Sequence, residues 1–243
     1  MIKPVSPPSY DGIIGWNKTM ETRLDKARKD PESMKARILD AARCIFGEYG
    51  FHGTTMRMIA REVGIDISTL HYHWGEKKDL YEAVILDINT DLRQSLIDVE
   101  TIIHGRALAE RMAIAIDRMT DYLFANPEVS NLILLRYFGK TRHESSLDFK
   151  VPEFTGDIAR SMGLTHDAKK TSPSAMMEVW TVMNALHHFV SGENFFRPMT
   201  GLDRQAYIET AKKTLKFILI PAFVQRDKHQ SGSQKEFCMT TEK

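Results

Sequence analysis

Cysteine is scarce: the chain has only Cys44 and Cys238, far apart in sequence. A disulfide scaffold needs a denser set, and such scarcity points to a reducing compartment. Long apolar runs are missing as well, since no stretch reaches the roughly 18 residues of a membrane span. Neither charge is in surplus. The 33 Lys and Arg against 32 Asp and Glu leave a net charge of +1. That balance excludes nucleic-acid binding by bulk charge and leaves room for a local basic patch. The opening MIKPVSPPSYDGIIGWNK lacks the apolar stretch and small-residue cleavage site of a signal peptide. Together these absences predict a cytoplasmic protein with no membrane partner. Internal repeats and alternating strand patterns are absent too. So are a Walker phosphate loop, a dinucleotide fingerprint, an HExxH pair and a nucleophile elbow, and no two carboxylates stand out as an acid–base couple. The chain therefore reads as a non-enzyme, with no cofactor and no metal.

What is present is helix. The 243 residues, 42% apolar and 27% charged, suffice for one large or two modest domains around a buried core. Pro4, Pro7, Pro8, Gly12 and Gly15 punctuate residues 1–30, which read as a flexible arm. A first helix is expected from Asp30-Pro31-Glu32, with Asp30 as cap and Ile38, Ala41, Ala42, Ile45 and Phe46 on one face, stopped by Gly50. A second starts after Thr54 or Thr55 and ends at Gly64, and a short third runs from its cap Asp66 to about His73. A long fourth begins near Lys77, with Leu80, Val84, Ile85, Ile88, Leu92 and Leu96 inside. Amphipathic patterns then cover 106–125, 127–138, 151–163, 174–196 and 203–223, with a polar loop over 140–150 and a loose polar tail over 225–243. The expected organisation is all-α: an N-terminal unit over 31–76, then a larger helical domain over 77–224.

The most informative stretch is TTMRMIAREVGIDISTLHYHWGEKKDL, residues 54–80. Ala60 is small where two helices must cross, Gly64 suits a turn with positive φ, and Leu70 faces inward. That spacing is the helix-turn-helix pattern, whose second helix enters a major groove. Here the sequence resembles the TetR family of transcriptional regulators, through RILDAARCIFGEYGFHGTTMRMIAREVGI and STLHYHWGEKKDLYEAV. The resemblance covers about residues 37–84. It implies three DNA-binding helices followed by a helical ligand-binding and dimerisation domain.

Carried over by position, the resemblance makes Thr55 and Arg57 phosphate or base-edge contacts. It makes Ile67, Ser68, Thr69, His71, Tyr72 and His73 the exposed face of the recognition helix, and Lys77 a phosphate contact. Hydroxyls and amides at helix starts suit phosphate, Arg can bridge guanine acceptors, and apolar atoms can meet a thymine methyl. Lys77 and Lys78 in a first helical turn oppose the helix dipole, a conflict that a phosphate there would relieve. The chain departs from the family pattern at His71, often Tyr, at Ile67, often polar, and at Glu76, a poorer cap than the frequent Ser. These departures bear on the operator sequence.

Other features admit two readings. Lys18, Arg23, Lys26, Arg28, Lys29, Lys35 and Arg37 outnumber Glu21, Asp25, Asp30 and Glu32 by three, so the arm could lie in a minor groove or simply be a solvated tail. His71 and His73 diverge by about 200° on a helix and cannot share a metal ion. Arg136 is either a surface ion-pair partner or a clamp for an anionic effector. His187 is either a satisfied core histidine or an effector contact. Trp180, Met183 and Asn184 complete the candidate effector contacts. The stripes holding Met176, Val179 and His188, then Tyr207, Ala211, Leu215 and Ile218, are core by default. The resemblance implies their use in a two-fold four-helix dimer interface. The reading reached is a homodimeric, ligand-responsive DNA-binding regulator. Its partners are a palindromic double-stranded operator, a second copy of itself and a largely apolar small-molecule effector. It is most often a repressor in this family, with an activator, or a ligand-binding helical protein with a vestigial DNA-binding unit, as alternatives.

Overall fold

The computed structural model describes residues 22–138 and 151–239, and every regular element among them is helical. The helices are α1 (Arg23–Lys29), α2 (Met34–Gly53), α3 (Met56–Val63), α4 (Ile67–Trp74), α5 (Lys77–Ile103), α6 (Leu108–Ala125), α7 (Pro127–Phe138), α8 (Val151–Ser161), α9 (Pro173–Ser191), α10 (Glu193–Thr200) and α11 (Arg204–Met239). A 3-10 turn, Ala168–Lys170, precedes α9. Among the described residues, no helix is long and apolar enough to cross a membrane.

Several boundaries differ from expectation, each for a local reason. The arm expected over residues 1–30 contains α1. Thr22 Oγ1 accepts from the Asp25 amide at 3.0 Å, and the Asp25 carboxylate accepts from the Thr22 amide at 2.9 Å. This reciprocal capping box fixes a helix start within charged sequence. Asp30 therefore ends α1 instead of starting the next helix, and Ser33 caps α2 by accepting from the Ala36 amide at 3.2 Å. The pattern expected over 174–196 splits at Gly192 into α9 and α10. The tail expected from residue 225 is instead the continuation of α11 to Met239, in keeping with the helix propensity of its Gln, Arg, Lys and Glu. The loop expected over 140–150 and residues 1–21 of the arm lie outside the described residues.

The N-terminal unit packs α2, α3 and α4 around Ile38, Ala42, Phe46, Ile59, Leu70 and Trp74, all essentially inaccessible to water. Its core continues through Leu80 and Val84 of α5. Behind it, α6 packs on α5, α9 and α11, and α7 packs between α2 and α9. The crossing of α2 and α7 is unusually close. A Cβ on Gly47 would stand 2.7 Å from the Glu128 Cβ and 3.0 Å from its Cα. Only glycine lets the second helix of the N-terminal unit approach the first turn of α7 this closely.

Candidate nucleic-acid interface

Two short helices and the turn between them form the candidate interface. Thr55 caps α3, its hydroxyl accepting from the Met58 amide at 3.3 Å. Thr54 is buried and donates its hydroxyl to the Ile45 carbonyl at 3.3 Å, so of the two candidate caps the second is used. Gly64 ends α3 in the left-handed conformation at φ 75° and ψ 38°, and the Ile65 amide donates back to the Ala60 carbonyl at 2.9 Å. This is the geometry a glycine at that position permits. Asp66 stands at the N-cap position of α4, yet its side chain makes no capping bond, contrary to the role expected for it.

Helix α4 is held from behind at two positions one turn apart. Leu70 and Trp74 are buried, and the Trp74 indole donates to the Lys35 carbonyl of α2 at 3.1 Å. At the C-terminal end, Arg23 of α1 donates to the Trp74 carbonyl at 2.7 Å, satisfying an acceptor that the helix leaves open. At about 100° per residue, burying 70 and 74 turns 68 and 72 outward. Accordingly Ser68 and Tyr72 are exposed; Ile67 shares the side of Leu70 and Trp74 and is exposed as the first residue of the helix, while Thr69, His71 and His73 are half-buried. Thr55 and Arg57, at the start of α3, are also exposed. The two histidines are partly committed. His71 Nδ1 lies 2.9 Å from the Gly75 carbonyl, and His73 Nδ1 lies 3.3 Å from Lys35 Nζ. Burial, then the Lys35 charge, lowers the His73 pKa below its ordinary value.

Lys77 has partners within the protein. Its ammonium donates inward to the Phe51 carbonyl at 2.8 Å and the Thr54 carbonyl at 2.9 Å, and stands 4.4 Å from the Phe51 ring centroid. These carbonyls and the ring offset the unfavourable charge at the start of α5, so no phosphate is needed to do so. Lys78 pairs with Glu82 at 3.9 Å. We expect Lys77→Ala to cost about 1–3 kcal/mol of folding stability, the scale of charged hydrogen bonds lost from partly buried acceptors. Urea unfolding measures it. A variant of unchanged stability with weakened DNA binding would restore the phosphate role.

A polar junction that the sequence reading missed joins this unit to the larger domain. Arg43 of α2 donates to Asp87 at 2.6 Å, Asp91 at 2.6 Å and Glu128 at 3.3 Å, while Arg28 of α1 reaches Asp87 and lies 2.9 Å from Asp91. Burial opposes the Arg43 charge, but the hydrogen bond to Asp91 and the nearby Asp87 outweigh it and hold its pKa above the ordinary value. Burial pushes the nearby Tyr122 phenol up to about 12. The available signal was Asp87 itself, a carboxylate inside the apolar run VILDI.

The candidate effector residues divide. Ser130 Oγ of α7 and His187 Nδ1 of α9 lie 2.9 Å apart, both buried, so His187 is a satisfied core histidine. Trp180 donates its indole N–H to Thr155 of α8 at 3.0 Å. Met183, Asn184 and Arg136 are half-buried on α9 and α7, which pack together. The candidate dimer residues need correction. Val179, Tyr207, Ala211 and Leu215 are turned into the protomer's own core and have almost no surface to offer a partner. Helix α6 takes that side of α11. Met176 is half-buried, and His188 is exposed with its ring 4.9 Å from that of Phe196. Of the α11 candidates Ile218 is exposed, beside Phe217, and Met177 and Trp180 are the exposed apolar residues of α9.

Comparison with known proteins places this geometry. The sequence model of bacterial regulatory proteins, tetR family, matches residues 38–84. The chain is 32% identical over 101 residues to the HTH-type transcriptional regulator UidR of Escherichia coli (strain K12), covering 42% of this chain and 50% of that protein. It is 45% identical over 49 residues to the biofilm operon icaADBC HTH-type negative transcriptional regulator IcaR of Staphylococcus aureus (strain Newman), covering 20% of this chain and 26% of that protein. The chain thus spans about half the length, or less, of these curated relatives. The fold is similar to the crystal structure of a TetR-like transcriptional regulator from Rhodococcus sp. RHA1, with TM-score 0.51 and 17% identity over 74% of this chain and 92% of that one.

Proposed function

We propose that the chain, whose residues 38–84 match the model of bacterial regulatory proteins, tetR family, is a ligand-responsive repressor of that kind that binds a palindromic operator as a homodimer. The observation that carries this reading is α4, anchored through Leu70 and Trp74 with Ile67, Ser68 and Tyr72 turned to solvent. Such a rod fits a major groove, and two of them in a symmetric pair meet half-sites about 34–36 Å apart. Thr55 and Arg57 serve the backbone or a guanine edge beside it. The partner copy covers Met177, Trp180, Phe217 and Ile218, four large apolar side chains left exposed on α9 and α11. The negative regulation named for IcaR supports the repressor sense.

The effector enters the helical domain near α7, α8 and α9. His187, kept neutral by burial, offers it no cationic clamp. A largely apolar ligand fits better, and it acts by binding one separation of the two α4 helices more tightly than another. The chain works in the cytoplasm, by binding and without a catalytic step.

Selection from a pool of random duplexes tests the reading. We expect a palindromic site to enrich, with two protomers bound per duplex and affinity falling steeply with salt. Arg57→Ala should weaken binding by roughly tenfold in fluorescence anisotropy. Failure of any sequence to enrich, or one protomer per duplex, would overturn it.

A further inference from the structure

Resting on that reading, we propose that α4 recognises its half-site chiefly through thymine methyl groups, met by Ile67 and Tyr72. The helix, ISTLHYHW, contains none of the side chains that grip a base with two hydrogen bonds: no Arg or Lys for guanine and no Asn or Gln for adenine. Its two histidines have each engaged Nδ1 within the protein, His71 near the Gly75 carbonyl and His73 near Lys35 Nζ, which leaves Nε2 alone on each ring. Ser68 and Thr69 are single hydroxyls that suit several bases equally.

The apolar inventory runs the other way. Ile67 is 40% exposed and Tyr72 is 81% exposed on a helix whose other large apolar residues, Leu70 and Trp74, are buried. The Tyr72 ring meets His73 edge-on, with centroids 5.2 Å apart, which biases where the phenol projects. Ile67 at the leading end and Tyr72 five residues on stand about 7.5 Å apart along the axis and about 140° apart around it, so they meet different base pairs, and the apolar feature of a base edge in the major groove is the thymine C5 methyl. Helix α4 therefore discriminates by burying methyl groups, through Ile67 at its leading end and Tyr72 on its outward face, while Arg57 and the backbone contacts set register.

Deoxyuridine makes the test direct, because it pairs as thymine does and lacks only the methyl. In the duplex selected by the wild-type protein, each thymine is replaced in turn and binding is measured by anisotropy. We expect replacement at one or two positions of each half-site to weaken binding about fourfold per methyl, the scale of one buried carbon. That sensitivity should vanish at one position in Ile67→Ala and at another in Tyr72→Ala. Both side chains are exposed, and circular dichroism verifies that the variants fold. An enriched site indifferent to every replacement would overturn the inference and leave the regulator reading intact. So would sensitivity that persists unchanged in both variants, since the methyls would then act through DNA shape. No enriched site at all would overturn the regulator reading and this inference with it.

Discussion

Arg43→Ala is expected to lower folding stability by about 3–5 kcal/mol, the scale seen when a buried ion pair loses one partner. The guanidinium stands among three carboxylates from two other helices: Asp87 and Asp91 of α5 and Glu128 of α7. Asp87 has a side chain only 6% exposed, so it cannot regain the water it gave up on folding. Without Arg43, Arg28 remains against Asp87 and Asp91, and Glu128 loses its Arg43 partner. Asp40 adds to the strain, since burial, with Asp87 and Asp91 nearby, already raises its pKa. For a chain of this size the loss is a drop in Tm on the order of 10 °C. Arg43→Lys should fall between the two, because a single ammonium cannot replace a planar fork serving three acceptors. Calorimetry or urea unfolding decides it. Wild-type stability in Arg43→Ala would mean that the junction is solvated and contributes nothing net.

The second large effect is on acid stability, through His187. The imidazole is buried against Ser130 at 2.9 Å, and burial lowers its pKa to about 4. In the unfolded chain the same group titrates near 6.5. Between those values the unfolded chain holds a proton that the folded one refuses, so stability rises with pH across this window. The contribution is complete above about pH 6.5 and is lost progressively as pH falls toward the folded value, amounting to about 3 kcal/mol in all. Unfolding free energies at about pH 7.5 and about pH 4.5, for wild type and His187→Gln, isolate it from groups common to both. The variant should show the smaller loss on acidification. Equal losses would mean that the folded protein accepts the proton at His187 without penalty.

The N-terminal unit was largely legible from residue types because its constraints are local. Gly64 marks a turn wherever the chain needs positive φ, Thr55 caps whichever helix follows it, and Leu70 is the apolar residue of a short amphipathic turn. Trp74 carries no such mark, because it closes α4, where an aromatic residue serves as core or surface with equal ease. Its role comes from the Lys35 carbonyl of another helix. Lys77 shows the opposite case. A lysine at a helix start looks available to a phosphate, yet two carbonyls from the preceding segment lie within reach of its ammonium. Periodicity also located the α9 and α11 stripes without saying which neighbour each would meet. The buried side of α11, with Tyr207, Ala211 and Leu215, is packed within the protomer, and exposed apolar side chains such as Phe217 and Ile218 occupy another side.

By itself the sequence determined the all-helical class seen among the described residues, a helix-turn-helix pattern within its first third and the inward side of α4 at Leu70, because capping, turn conformation and apolar period depend on neighbours within a few residues. Only the tertiary structure decided that α1 braces the end of α4, that Arg43 joins the N-terminal unit to α5 through Asp87 and to α7 through Glu128, and which apolar faces stay open. Those outcomes depend on which helices lie side by side. Residues far apart in sequence, such as Arg23 and Trp74 or Arg43 and Glu128, carry no mark of each other until packing brings their charges and dipoles within hydrogen-bond range.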